Sequence, residues 1–223
     1  HDTCRRQRQM CIRDRSGTYG EQAARVLIEQ DAIDDVQLIP CAGLRSVVEH
    51  LAGGQCDAAV VPIENSVEGG VTATLDALWS HPELCISRAL VLPIQHALLG
   101  SGPLSRVTEV LSHPQALAQC SGWLAQHLPD ALQLPTSSTA EAARMVAGSP
   151  FRAAIASKAA AQEHGLDELA FPVNDVPGNR TRFLLLRRGE RSEHGDVASL
   201  AFSLHRNAPG ALLEALACLA QRG

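Results

Sequence analysis

No apolar run in this 223-residue chain approaches the ~18–20 residues needed to cross a bilayer, so no membrane span is expected. A basic block that could track a phosphate backbone is also missing. Lys and Arg number 19 against 24 Asp and Glu, a net charge of −5, which sets nucleic acid aside as a partner. An anion would have to be held by local groups, not by the global field. Seven cysteines occur, at Cys4, Cys11, Cys41, Cys56, Cys85, Cys120 and Cys218, without any C-x-x-C pair, and the nine His show no ligand spacing to them. That pattern argues against zinc and for reduced, mostly buried thiols in a cytosolic protein. The opening HDTCRRQRQMCIRDR lacks the apolar core of a signal peptide. It is arginine-rich and aperiodic, and 1–15 is expected to stand outside the fold as a tail.

What remains is an ordinary globular composition, 45% apolar and 19% charged. Apolar runs of strand length alternate with stretches of helical period. Strands are predicted at 36–42, 56–65, 107–113, 131–136, 153–157, 169–173 and 182–188, with extended apolar segments at 84–94 and 95–100. Helices are predicted at 21–30, 43–54, 71–80, 114–128, 138–148 and 158–165. This alternation argues for α/β architecture with mostly parallel sheets. The polar, turn-rich GERSEHGDV at 189–197 reads as a linker. Beyond it a strand (198–205) and a helix (209–223) are predicted, too little to enclose a core.

Four stretches could carry chemistry. PIENSVEGG at 62–70 follows an apolar strand and precedes a helix. Glu64, Asn65 and Ser66 therefore sit at the carboxyl end of a strand, where open α/β sheets bind ligands. Gly69 and Gly70 allow backbone approach at a helix N-terminus, where free N–H groups favour an anion, or they serve only the turn. Thr18, Ser112 and Ser138 each begin an S/T-x-x-E/Q capping box. Such caps stabilise helices without any ligand, but hydroxyl-bearing helix starts at strand ends could together cradle a polyanionic small molecule. His113 is either a general base or a capping residue. Gln115 and Gln119 share a helical face and either bind a ligand or face solvent. In NRTRF at 179–183, Arg182 offers a fork for a carboxylate and Thr181 a hydroxyl for a leaving group, with Asn179 able to orient either.

GTYGEQAA (17–24), VVPIENSVEGGVTATLDAL (60–78), SHPQALAQCSGWL (112–124), STAEAARMVA (138–147), AAIASKAAA (153–161) and NRTRFLLL (179–186) resemble, in the same order, the motifs of prephenate dehydratase. The tail FSLHRNAPGALLEAL (202–216) resembles the start of the regulatory, ferredoxin-like ACT domain that commonly follows in that family, with its G-A-L element at Gly210, Ala211 and Leu212. The resemblance implies a catalytic domain at 16–188 with two lobes like a periplasmic binding protein, then an incomplete ACT domain at 197–223. It implies a carbon–oxygen lyase that converts prephenate to phenylpyruvate, carbon dioxide and water in phenylalanine biosynthesis, without metal or organic cofactor. Arogenate dehydratase and a non-enzymatic anion binder on the same fold are the alternatives. Thr181 would be the catalytic hydroxyl and Arg182 would hold a substrate carboxylate. Thr18, Glu64, Asn65, Ser66, Ser112, Gln115, Ser138, Thr139 and Asn179 would line the cleft, with Phe183 beneath it. L-phenylalanine would be the effector at the ACT element, and a cytoplasmic homo-oligomer is implied. The family's apolar first strand, ending in Gly-Pro, is replaced here by MCIRDRS, so that strand is expected to be missing or altered.

Overall fold

A computed structural model describes residues 7–13, 17–189 and 195–222. The chain divides into two compact units, His1–Arg191 and Ser192–Gly223.

The first unit contains strands β1 (Arg8–Arg13), β2 (Val36–Cys41), β3 (Ala58–Asn65), β4 (Gly69–Gly70), β5 (Leu84–Pro93), β6 (Ala97–Gly100), β7 (Glu109–Ser112), β8 (Leu132–Pro135), β9 (Arg152–Ala156), β10 (Asp167–Ala170) and β11 (Arg180–Arg188). Its helices are α1 (Tyr19–Gln30), α2 (Leu44–Ala52), α3 (Thr72–Ser80), α4 (Pro114–Gln119), α5 (Ser121–His127), α6 (Thr139–Val146) and α7 (Lys158–His164). Two sheets result. The first has the order β2-β1-β3-β11-β5, with β4 hairpinned onto β3; the second has the order β10-β6-β9-β7-β8.

Each sheet is covered on both faces, and the period of two along its strands sorts the side chains. In the first sheet Met10, Ile12, Ala58, Val60, Phe183 and Leu185 pack with Ala23, Ala24 and Leu27 of α1. The intervening Cys11, Ala59, Val61, Leu184 and Leu186 pack with Val47, Val48 and Leu51 of α2. In the second sheet Ala97, Leu99, Leu111, Ala154 and Ala156 meet the alanines of α6 and α7, while Leu98, Val110, Ala153 and Ile155 meet α4 and α5. Strands buried on both faces read as continuous apolar runs, which is why AAVV and AAIA were legible as strands.

The chain crosses between the sheets twice, from β5 to β6 and from β10 back to β11. The returning β11 inserts antiparallel between β3 and β5. The sheets are therefore mixed rather than mostly parallel. Among the described residues, four of the nine strand pairings are parallel, because the crossover strands enter against the βαβ direction.

Three further expectations are corrected. The segment set aside as part of a tail supplies β1, which runs parallel between β2 and β3. Met10, Cys11 and Ile12 are buried there, a short apolar run hidden in the sequence by its arginine and glutamine flanks. The helix expected over 114–128 breaks at Cys120 into α4 and α5. Asp175 accepts from the backbone N–H groups of Gly122 and Trp123, each at 2.8 Å, and so caps a second helix start. A Cβ at Gly122 would stand 3.0 Å from that carboxylate. In the second unit 198–205 forms no strand, since a strand needs a ladder partner and none is offered among the described residues of that unit. Helix α8 (Ala211–Ala220) does form there, behind Gly210 at φ 88° in the left-handed region.

The free cysteines include Cys11, Cys41, Cys56 and Cys120, all buried; Cys4 lies outside the described residues. Burial pushes the Cys120 thiol up to about 12, which keeps it protonated and unreactive.

Leu185, fully buried in the central strand β11, is expected to cost about 2–5 kcal/mol when truncated to Ala, read as a lower midpoint in urea unfolding.

Candidate active site

A cavity of about 360 Å³ lies between the two sheets of the first unit. Its floor in the first lobe is built by the ends of β3 and β11. Alternation along β11 turns Thr181 and Phe183 into the cavity and turns Arg182 away. Asn65 on β3 stands opposite Thr181 in the register. From the second lobe come Gln115, Ser138 and Thr139.

Thr181 is buried, and its hydroxyl oxygen accepts a hydrogen bond from Asn65 Nδ2 at 2.9 Å. The orientation of the Asn65 amide is set by its other end: Oδ1 accepts from the backbone N–H groups of Val67 at 2.9 Å and Glu68 at 3.2 Å, which can only donate. The amide nitrogen must therefore face Thr181. With its oxygen already accepting, the Thr181 hydroxyl has its own proton available for a group in the cavity.

Asn179 continues the network. Its Oδ1 accepts from Asn65 Nδ2 at 2.8 Å and from Ser66 Oγ at 3.3 Å, and its Nδ2 donates to Gln119 Oε1 at 3.1 Å. Ser66 Oγ in turn accepts from Arg180 N–H at 2.9 Å, and Ser66 N–H donates to Arg180 C=O at the same distance. The polar entrance of β11 is thus an internal lock between the E-N-S turn and the N-x-T-R strand. It satisfies the backbone N–H and C=O of Arg180 at the strand entrance.

The other residues singled out from the sequence separate into two groups. Thr18 and Ser138 line the cavity and cap α1 and α6, accepting from the N–H groups of Glu21 at 3.2 Å and Glu141 at 3.1 Å. Thr139, Gln115 and Phe183 line the same cavity. Glu64, Ser66, Ser112, Asn179 and Arg182 do not. Ser112 is fully buried and donates to the Ile155 carbonyl at 2.6 Å, tying β7 to β9. Arg182 and Glu64 sit side by side on the outer face of the sheet, 4.0 Å apart and each about half exposed. The strand period that delivers Thr181 to the cavity takes its neighbour out of it, so this geometry does not bring Arg182 to a substrate carboxylate. His113 lines the cavity and accepts from Gln115 N–H at 3.3 Å, a capping geometry. Gly210, Ala211 and Leu212 lie in the second unit, where Gly210 precedes α8.

Sequence reasoning passed over Tyr19 and His96. Tyr19 was visible only as part of a capping motif, and His96 as one polar residue in an apolar extended segment. Tyr19 donates to the Gln95 carbonyl at 2.6 Å and meets the His96 ring edge-on at 5.7 Å between centroids. His96 is buried against the cavity with Nε2 3.2 Å from Gln119 Oε1. Desolvation lowers its affinity for a proton, partly opposed by the Gln119 bond, and holds the ring neutral. Burial likewise keeps the Tyr19 hydroxyl protonated, well above its ordinary range.

For an anion, the cavity offers the backbone N–H groups at the starts of α1 and α6 and at the Gly69–Gly70 approach to α3, converging from both lobes. Arg13 also lines the wall. Among the described residues no group of three or more His, Cys, Asp or Glu could hold a metal ion. None of the described helices is long and apolar enough to cross a membrane.

Fold and cavity together define a two-lobed α/β enzyme with its candidate site in the cleft between the lobes. A family model described as prephenate dehydratase matches residues 14–191. The prephenate dehydratase of Lactococcus lactis is 36% identical over 202 residues, covering 88% of this chain and 72% of that protein. The bifunctional chorismate mutase/prephenate dehydratase of Stutzerimonas stutzeri is 38% identical over 202 residues, covering 90% of this chain and 54% of its own length. The chain thus spans about half of that bifunctional relative. Among solved structures, prephenate dehydratase from Arthrobacter aurescens in complex with L-Phe aligns with a TM-score of 0.81 at 36% identity, over 96% of this chain and 72% of that one. The chain belongs to the prephenate dehydratase family, whose members are lyases of aromatic amino-acid biosynthesis.

Because the folded state holds His96 neutral, the unfolded chain takes up that proton first as pH falls. The stability contributed by neutral His96 is complete above about pH 6.5 and declines below it. Urea melts at pH 7 and pH 5 should therefore show a larger loss on acidification for the parent chain than for His96→Gln.

Proposed function

We propose that the cleft catalyses the decarboxylative dehydration of prephenate to phenylpyruvate, with Thr181 as the proton donor. The electron pair of the ring carbon–carboxylate bond flows into the ring as carbon dioxide leaves. The ring C–O bond breaks at the opposite carbon, and the departing hydroxide takes a proton to become water. Thr181 supplies that proton, and the Asn65 N–H at its oxygen stabilises the charge left behind until solvent reprotonates it. The gain of an aromatic ring drives the reaction. The protein has to orient a dianion, exclude water over the Val60, Ile94 and Phe183 floor, and place one donor.

One observation carries this reading: the Thr181 hydroxyl faces the cavity with its acceptor side already taken by Asn65. The carboxylates are assigned to the N–H groups opening α1, α3 and α6, with Thr18, Gln115, Ser138 and Thr139 as side-chain partners. Arg182 is assigned to the outer face with Glu64.

L-phenylalanine as an effector at Gly210, Ala211 and Leu212 is supported by the resemblance of 202–216 to an ACT domain and by the L-Phe complex of the Arthrobacter relative. A cytoplasmic homo-oligomer is the setting the family resemblance supports.

Following phenylpyruvate absorbance with added prephenate tests the assignment. Thr181→Ala is expected to lower kcat by about 10²–10⁴-fold with KM little changed. Wild-type turnover in that variant would remove Thr181 from the mechanism. Arg182→Lys is expected to leave KM within about twofold, as suits a residue that does not touch the substrate. A KM raised tenfold would return Arg182 to the site.

A further inference from the structure

Glu68 is out of place. It is an exposed acid on the wall of a cavity assigned above to a doubly charged anion, and bare repulsion would weaken binding. It reaches across the cleft, where its Oε1 accepts from Gln119 Nε2 at 2.8 Å. Glu68 belongs to the β3–β4 turn of the first lobe and Gln119 to α4 of the second.

The donor–acceptor order makes this contact more than a bridge. A carboxylate only accepts, so Gln119 must turn its NH2 to Glu68 and its carbonyl to Asn179. Asn179 then turns its carbonyl to Asn65, and Asn65 its NH2 to Thr181. The backbone N–H of Glu68 closes the ring on Asn65 Oδ1. Every amide in the ring has one allowed orientation, and each supports the one that leaves the Thr181 proton facing the substrate. The same contact forms a wall. A second cavity of about 330 Å³ lies behind it, and Glu68 and Gln119 line both.

We propose that Glu68 is a positioning residue for the dehydration: its carboxylate, bonded across the cleft to Gln119, completes from the second lobe the Gln119–Asn179–Asn65 amide chain whose other end is fixed by the Val67 and Glu68 N–H groups, and so steadies the order that aims Thr181. The inference rests on the role given to Thr181 above. It requires an acceptor at position 68, not a negative charge.

Three variants separate these possibilities. Glu68→Gln can still present a carbonyl to Gln119 and should keep kcat within about threefold. Glu68→Ala removes the acceptor and should lower kcat about tenfold. Glu68→Lys places a donor against a donor and should lower it toward a hundredfold, the scale of loss for a misplaced catalytic group, with KM not raised. A residue that is only a nearby charge gives another pattern: Glu68→Lys would lower KM for the dianion and spare kcat. That pattern, or equal kcat in all three, overturns the proposal.

A second measurement does not depend on turnover. The carboxamide protons of Asn65 and Asn179, followed by nitrogen-edited NMR of the full chain, should exchange slowly in the parent and in Glu68→Gln and faster in Glu68→Ala. Equal exchange in parent and Glu68→Ala overturns the amide order. A parent chain inactive on prephenate would instead sink the dehydratase reading, and the exchange data would still decide the hydrogen-bond ring.

Discussion

The structure depends on one strand finding its slot. Arg180–Arg188 leaves the second lobe and inserts between β3 and β5 of the first, and that single pairing does three things. It completes the first sheet, with Leu184, Leu185 and Leu186 buried on its two faces. It joins the lobes through a short crossover rather than leaving them strung along the chain. It also sets Thr181 beside Asn65 in the antiparallel register with β3, where a one-residue slip would turn every side chain to the wrong face. Packing energy on the order of several kcal/mol from the buried leucines thus holds a catalytic geometry whose own polar contacts are each worth about 1 kcal/mol.

The polar residues at the mouth of that strand follow from the same constraint. A strand entering a sheet at a lobe junction brings backbone groups whose ladder partners end at its mouth. Ser66 satisfies the N–H and C=O of Arg180, Asn179 accepts from the Ser66 hydroxyl, and Asp175 pins the preceding loop to the start of α5. The polar string N-R-T-R is therefore two things interleaved. Asn179 and Thr181 face inward, to the junction and the cavity. Arg180 and Arg182 are exposed, and Arg182 pairs with Glu64. Evenly polar sequence hides an alternation of roles that becomes visible only once the strand has two faces.

Charge placement in the cleft is economical. In the proposed reading anions are met mainly by helix N-termini, which carry partial positive charge without the rotamer entropy of long basic side chains. On that reading a chain with a net charge of −5 holds a dianion by local groups rather than by its global field. It also makes the capping residues and the candidate binding residues the same ones: Thr18 and Ser138 fix the helix starts whose N–H groups are proposed to bind. His96 sits 3.2 Å from Gln119 Oε1 through Nε2, and desolvation rather than that bond disfavours its charged form.

Much of this was legible from residues alone. Periodicity located nearly every strand and helix of the first unit, because strands buried on both faces must be continuously apolar and helices there keep an apolar stripe. Local chemistry in P-I-E-N-S and N-x-T-R-F marked two segments that meet at the cavity, through Asn65, Thr181 and Phe183. What the sequence could not decide was direction and side. Strand sense depends on which lobe the chain returns from, so the sheets proved mixed. The roles of Ser112, Glu64 and Arg182 depend on which face of a strand meets the cleft. The strand at 8–13 exists because β2 and β3 offer it two ladders, and 198–205 is no strand because its unit offers none. Residue type and spacing settle local conformation through short-range sterics and burial; partner and facing are settled by contacts distant in the chain, and these exist only in the assembled fold.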